Sequence, residues 1–374
     1  MNLIVKLGDS FGADKLIEIK SAHTVLNFGL NFVNAAAEIL NRTAEAGLKV
    51  KVRTTADPII DLNYAEELKV ILPMFTLHDQ LMRDLERIGV YGFTCTPYYL
   101  DNKPQFGEHY AWSESSAVIY LNSVFGGRSN REGGIIDIAC AITGKTPYHG
   151  LHLSENRKGQ ILFKILFKDW DTFDLTSIGL KIGEIAGNKI PVIEGLKNIS
   201  TYNLKNLGSA SASTGAVALI HVIGKTPEAK NIESAFQNDI PEEIIEIDKD
   251  SLKEVKEKYS TEWEDPPKNV TIGCPQLNEE EVITVLNKLD GKKILPNINF
   301  WICTNELTRD TIKESKYFEI LKNSGAKLTT LCPLLTPLPR PLMTNSAKTC
   351  FYSNASYRSL DTCIKIATEG KNNA

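Results

Sequence analysis

The last third of the chain alternates strand-like and helix-like segments, and that order leaves few folds open. Residues 269–273 read as a short strand ending at Cys274. Asn278 followed by Glu279, Glu280 and Glu281 is an N-cap with acidic residues in a first helical turn, and Val282, Val285, Leu286 and Leu289 keep helical apolar spacing. Residues 298–303 read as a second strand. A second helix runs from about Thr308 to Lys322 and is closed by Asn323-Ser324-Gly325, and a third strand, 327–331, ends at Cys332. Strand, helix, strand, helix, strand predicts a parallel sheet covered by helices, an α/β domain. Cys274 and Cys332 then sit at the carboxyl ends of strands, the edge where open α/β sheets bind ligands.

Cys95, in Gly-Phe-Thr-Cys-Thr-Pro, shares with Cys274-Pro275 and Cys332-Pro333 a proline at the next position or the one after. Proline removes a backbone donor and pushes the preceding residue out of helical geometry, which places these thiols in loops where elements end. Three loop thiols from distant parts of a chain could form a three-cysteine metal or iron–sulfur site with one metal position open to substrate. Buried structural cysteines are the alternative. Cys140 lies in an apolar run, Cys303 in a strand pattern, and Cys350 and Cys363 in patterns compatible with helix. Seven cysteines without a Cys-x-x-Cys pair argue against a disulfide framework and for a reducing, cytoplasmic setting.

Upstream, Thr54-Thr55-Ala56-Asp57-Pro58 follows a strand-like stretch at 49–53, and 160–168 and 190–193 also read as strands. Residues 208–221 read as a small-residue helix with His221 in the core. The stretch 228–268, dense in Lys, Glu, Asp and Pro, reads as a solvated surface ending at a domain boundary. Three regions result: 1–155, 156–265 and 266–374. The 374 residues are ample for several domains. A net charge of −4 gives no reason to expect nucleic acid or an anionic membrane as partner, and no apolar run approaches the ~20 residues of a membrane span. The amino terminus lacks a signal-peptide layout.

Two segments carry anion-binding chemistry. The loop 126–134 packs Arg128, Arg131, Glu132 and four glycines into nine residues. Glycines allow close ligand approach, and arginines offer two-pronged donors for carboxylate or phosphate. The plainer reading is a surface turn with an internal Arg–Glu pair. In Thr344-Asn345-Ser346-Ala347-Lys348 a helix start lies beside a cation, a setting that favours negative charge, with ordinary capping by Asn345 or Ser346 as the alternative. His23 and the pair His149/His152 are the histidines of interest, although a structural role is the default for each.

Taken together these segments resemble the large subunit of the aconitase X family, almost end to end. The resemblance rests on Ser21-Ala22-His23, Thr54-Thr55, Phe93-Thr94-Cys95-Thr96-Pro97-Tyr98 and Trp112-Ser113-Glu114-Ser115-Ser116-Ala117. It continues through Asn122-Ser123, Gly127-Arg128-Ser129-Asn130-Arg131-Glu132-Gly133-Gly134, Thr143-Gly144-Lys145-Thr146-Pro147-Tyr148 and Gly150-Leu151-His152. Later matches are Gly215-Ala216-Val217-Ala218-Leu219, Thr226-Pro227-Glu228-Ala229, Ile272-Gly273-Cys274-Pro275 and Asn345-Ser346-Ala347-Lys348. The resemblance implies an aconitase-like assembly of α/β/α domains around a central cluster-binding cleft. It also implies an iron–sulfur-dependent hydro-lyase that needs a separate small swivelling-domain subunit, a segment these residues lack.

Archaeal members of this kind dehydrate mevalonate 5-phosphate to trans-anhydromevalonate 5-phosphate, a step toward isoprenoid precursors; others dehydrate cis-3-hydroxy-L-proline. The resemblance implies that Cys95, Cys274 and Cys332 hold the cluster, of the 4Fe–4S form or another nuclearity. It implies substrate contacts for His23, Thr54, Thr55, Ser123, Arg128, Ser129, Asn130 and Asn345, and catalytic roles for Arg131, Lys348 and, as base, Ser346. Three departures fall near these loops: Thr24-Val25-Leu26-Asn27-Phe28 in place of a glycine-rich stretch, Ala56-Asp57 where asparagine is usual, and Gln276 where histidine is common. Two other classes compete. One is a serine/lysine hydrolase using Ser346 and Lys348; the other is a non-catalytic subunit that positions a partner.

Overall fold

The computed structural model of the protein describes residues 1–26, 29–58, 60–68, 72–336 and 338–370, without the side chains of 29–33 and 72–75. Of the replaced stretch 24–28, Asn27 and Phe28 therefore lie outside the described residues. Parallel sheets organise each third of the chain. In the first, Ser21–Thr24 lies between Arg53–Ala56 and Ala111–Trp112, all parallel. An antiparallel pair, Leu16–Glu18 with Lys145–Pro147, joins the beginning of this region to its end. The second sheet runs His221–Val222, Pro191–Glu194, Ile161–Ile165, Glu243–Ile247. The third runs Lys327–Thr329, Asn299–Thr304, Asn269–Leu277, Leu342–Thr344, Ser356–Tyr357.

The helix Glu279–Leu289 starts where the sequence predicts. Asn278 Oδ1 accepts the Glu281 N–H at 2.8 Å and Glu281 Oε2 accepts the Asn278 N–H at 3.0 Å, a reciprocal cap. Its Val282, Val285, Leu286 and Leu289 are buried against Val270, Ile272 and Phe300 of the sheet. Burying each such side chain stabilises the fold by about 1.5–3 kcal/mol. The expected helix at 308–322 is instead two helices, Glu306–Lys313 and Tyr317–Ser324. Ser315 makes the break: its Oγ donates to the Ile312 carbonyl and accepts the Tyr317 N–H, a local alternative to the helical ladder.

Other expectations shift in register. The strand expected at 49–53 forms at Arg53–Ala56, because Val50 and Lys51 bond instead to the Ile88 and Ala141 carbonyls. Thr54 and Thr55 thus lie within a strand, not after one. The small-residue helix spans Thr201–Thr214, and His221 is buried on a strand. Small residues matter here because this helix packs closely on Thr172–Ala186. A Cβ on Gly179 would come within 2.5 Å of the Leu207 carbonyl oxygen and one on Gly183 within 2.4 Å of that of Ser211. The charged stretch 228–268 contains the edge strand Glu243–Ile247 and the helix Lys249–Tyr259.

Candidate functional site

The carboxyl ends of the first and third sheets meet. Asp57 follows the strand Arg53–Ala56, Glu114 follows Ala111–Trp112, and Cys95 follows Phe93, which bridges to Ala56. From the third sheet come Cys274, Cys332, Ser346 and Lys348. Cys274 lies inside its strand rather than past the end: pairing with Asn299–Thr304 shifts register between Ile272 and Leu277 and resumes at Leu277. Gly273 permits this irregularity. Its φ is +95°, and a Cβ there would lie 2.8 Å from the Cys303 carbonyl oxygen.

All seven cysteines are free, and Cys95 and Cys332 are buried while Cys274 is partly exposed. Burial pushes the Cys95 thiol well above its ordinary pKa, and negative charge on Glu114, Cys274, Asp57 and Cys332 pushes it further. Cys332 is likewise raised by burial and then by Cys274 and Asp57. Cys274 is raised by burial, with Lys348 pulling it back. The three thiols therefore share one electrostatic neighbourhood. Cys303 also lies close enough to feel Cys332 and Cys274, although it is fully buried on its strand.

The donor set fits a thiolate-bound iron–sulfur group. The Gln276 N–H donates to Cys95 Sγ at 3.3 Å, and the backbone N–H groups of Leu334 and Leu335 favour the ionised form of Cys332. Among the described residues no three His, Cys, Asp or Glu side chains are gathered for a single metal ion. A cluster differs from an ion in spanning its thiolates at wider spacing.

Beside the thiols lies a buried ion pair. The Lys348 ammonium contacts Glu114 Oε1 and donates to Ser115 Oγ at 3.0 Å and Ser116 Oγ at 2.9 Å. Glu114 Oε2 accepts the Ala117 N–H at 2.6 Å and caps the helix Ser115–Tyr120. Burial works against both charges. Lys348 nonetheless holds Glu114 below its usual range, and Glu114 and Cys274 hold the ammonium above its own. A second buried pair is His23 with Asp57: His23 Nδ1 is 2.9 Å from Thr55 Oγ1 and Nε2 is 3.3 Å from Asp57 Oδ1. Burial lifts the Asp57 carboxyl to about 6 despite the opposing pull of His23.

Ser346 is the N-cap of the helix Ala347–Ser353. Its Oγ donates to the Cys274 carbonyl at 2.5 Å and accepts the Thr349 N–H at 3.1 Å, and Lys348 points to Glu114 rather than to it. The serine–lysine contact that a Ser/Lys hydrolase requires is thus absent among the described residues. Asn345 Oδ1 accepts the Gly273 N–H at 3.3 Å. A cleft of about 480 Å³ is lined by Cys274, Asn345, Ser346 and Lys348, with Asp171, Tyr202, Lys288 and Arg358; Cys95 and Cys332 do not line it.

The remaining candidates have structural partners. Arg128 donates to the His152 carbonyl at 2.7 Å and to Ser154 Oγ at 2.8 Å. Ser123 accepts the Ile220 N–H, Ser129 accepts the Trp112 N–H, Asn130 accepts the Leu151 N–H, and Thr54 donates to the Val52 carbonyl. Arg131 is exposed and donates to the Ala212 carbonyl at 3.3 Å. His152 is buried 3.0 Å from His109, and His149 stacks on Phe11 beside Glu132. Sequence reasoning gave no role to Glu114 or Asp57. Glu114 lay inside a quoted motif, and a carboxylate directly after a strand was the available signal for Asp57.

Comparison with known proteins covers nearly the whole chain. Models of the aconitase X first, second and third domains match residues 1–155, 159–257 and 267–369. A Thermococcus kodakarensis protein named phosphomevalonate dehydratase large subunit is 37% identical over 94% of this chain and 89% of its own length. A protein of the same name from Methanocaldococcus jannaschii is 36% identical over 94% of this chain and 89% of its own. A cis-3-hydroxy-L-proline dehydratase from Pseudomonas aeruginosa is 28% identical, with only 67% of its length matched. The crystal structure of Thermococcus kodakaraensis aconitase X in its holo-form superposes with a TM-score of 0.88 at 35% identity, covering 98% of this chain and 94% of that one.

Proposed function

This chain belongs to the aconitase X family, and from that premise we propose that it is the large subunit of a hydro-lyase converting mevalonate 5-phosphate to trans-anhydromevalonate 5-phosphate. One observation carries the substrate choice. Archaeal relatives named for that activity match over most of both chains, whereas the hydroxyproline dehydratase match is weaker and leaves a third of that protein unmatched. The relatives' shared designation as large subunits supports a small-subunit partner for this chain.

Dehydration removes a proton alpha to a carboxylate and a hydroxyl from the next carbon. An iron–sulfur cluster held by Cys95, Cys274 and Cys332 would supply a Lewis acid for the departing hydroxyl. Lys348 fixes a positive charge beside Cys274, where negative charge accumulating on the carboxylate is stabilised without reorganisation. Glu114, Ser115 and Ser116 hold that ammonium in place.

Ser346, at the cleft and next to Cys274, is proposed as the base. It can take a proton only as its alkoxide, so the hydroxyl proton it now donates to the Cys274 carbonyl must first pass to solvent in the cleft. Asp57 offers a second reading of the proton step: it is buried in the same neighbourhood, and a carboxyl lifted to about 6 exchanges a proton near neutral pH. Arg131, exposed on its glycine-rich loop, is proposed to bind an anionic group of the substrate, and Arg128 shapes the loop around it. The small subunit would cover the cleft and exclude water.

The test is a side-by-side assay of the reconstituted two-subunit enzyme. Turnover of mevalonate 5-phosphate is expected. Turnover of cis-3-hydroxy-L-proline with none of the phosphorylated acid would overturn the assignment.

A further inference from the structure

One buried side chain ties together all three cysteine-bearing segments. Gln276 is 1% exposed and lies two residues after Cys274. Its Oε1 accepts the Thr94 hydroxyl at 2.6 Å and the Cys95 N–H at 3.3 Å. Its Nε2 donates to the Thr330 carbonyl at 2.9 Å, two residues before Cys332. Its backbone N–H donates to Cys95 Sγ, and its carbonyl accepts the Lys205 ammonium at 3.2 Å. Lys205 is fully buried and pairs with Glu281, so the same residue also anchors the second region to the third.

The chemistry of an amide is what this position uses. Oε1 must accept from one loop while Nε2 donates to another, and a carboxylate or an aliphatic side chain can satisfy one side at most. The loops concerned are separated by about 180 residues of chain between Thr94 and Gln276, so no local structure sets their spacing. We propose that Gln276 is the positioning residue that fixes the mutual placement of Cys95, Cys274 and Cys332 before any group is bound to them. This rests on the reading that those three thiols hold the cluster. Gln276 acts through the cysteines and their loops rather than on substrate.

The experiment uses the full chain, as wild type, Gln276→Leu and Gln276→Glu. Metal-free protein is labelled with a maleimide, with the rate at each cysteine resolved by mass spectrometry. Protein reconstituted anaerobically with iron and sulfide is then challenged with an iron chelator. In Gln276→Leu, Cys95 and Cys332 are expected to label at least tenfold faster, with Cys363 in the third-domain core unchanged, and iron is expected to be lost at least tenfold faster.

Gln276→Glu keeps an acceptor for Thr94 and Cys95 but lacks the donor to Thr330. Its labelling rate should rise mainly at Cys332. Unchanged labelling at Cys95 and Cys332 in Gln276→Leu would overturn the proposal, as would an equal rise at Cys363, which marks general loosening. If wild type binds no iron and sulfide, the cluster reading fails, and the metal-free labelling still decides whether Gln276 positions the thiols.

Discussion

Replacing Glu114 by alanine strands the Lys348 ammonium, and the cost can be worked from its surroundings. Lys348 and Glu114 side chains are 8% and 5% exposed, so neither charge has much access to water. Removing one partner of a buried ion pair costs about 3–5 kcal/mol, because the survivor stays desolvated and unpaired. The Ser115 and Ser116 hydroxyls remain on the ammonium and offset a small part of this. Loss of the cap on the helix Ser115–Tyr120 adds about 1 kcal/mol. Glu114→Ala should therefore lower unfolding stability by about 4–5 kcal/mol, as the shift of a urea midpoint at constant slope. The double variant Glu114→Ala/Lys348→Met removes the stranded charge as well and should recover about 2–3 kcal/mol. If the double variant is no more stable than the single, the pair is not an electrostatic unit and the reasoning fails.

Gly273→Ala should abolish cluster retention and destabilise the fold, because a side chain at φ +95° meets the Cys303 carbonyl oxygen; iron content per chain reports the first and the denaturation midpoint the second. Asp57→Asn should remove an acid limb near pH 6 from the kcat/KM profile. Loss of activity as pH falls through about 6 is what a carboxylate base lifted to that value produces, and a profile unchanged in the variant would exclude Asp57. Ser346→Ala should lower kcat by roughly 10²–10⁴ if its hydroxyl takes the proton, but only lower stability by about 1 kcal/mol if it is a cap alone. Burial holds His152 and His221 below the value near 6.5 at which they titrate when unfolded. Each stabilises above that pH, and urea midpoints should fall below it with a slope of up to about 1.4 kcal/mol per pH unit per histidine.

The third region was the most legible in the sequence because its signals are local. Asn278 and the three glutamates after it cap a helix through contacts three residues apart, and apolar spacing reports which face is buried. Signals failed where a partner distant in sequence decided the outcome. Residues 49–52 carry strand-forming side chains, but their backbone bonds to the Ile88 and Ala141 carbonyls and pairing begins only at Arg53. The proline beside Cys274 predicted a strand end, yet the strand resumes pairing at Leu277 beyond a bulge that depends on Gly273. At the site, the loop positions of Cys95 and Cys332, though not of Cys274, were visible from their prolines. Glu114, Asp57 and Gln276 matter through contacts with Lys348, His23, Thr94 and Thr330, and no spacing along the chain encodes those meetings.

The central claim is that Cys95, Cys274 and Cys332 together hold the iron–sulfur group. The direct measurement is iron and sulfide per chain after anaerobic reconstitution of single serine variants at these positions and at Cys303, Cys350 and Cys363. Each of the first three should lose the bound iron and its visible absorption, and each of the last three should retain both. Full occupancy in any of the first three variants, with loss in Cys303→Ser, would contradict the assignment.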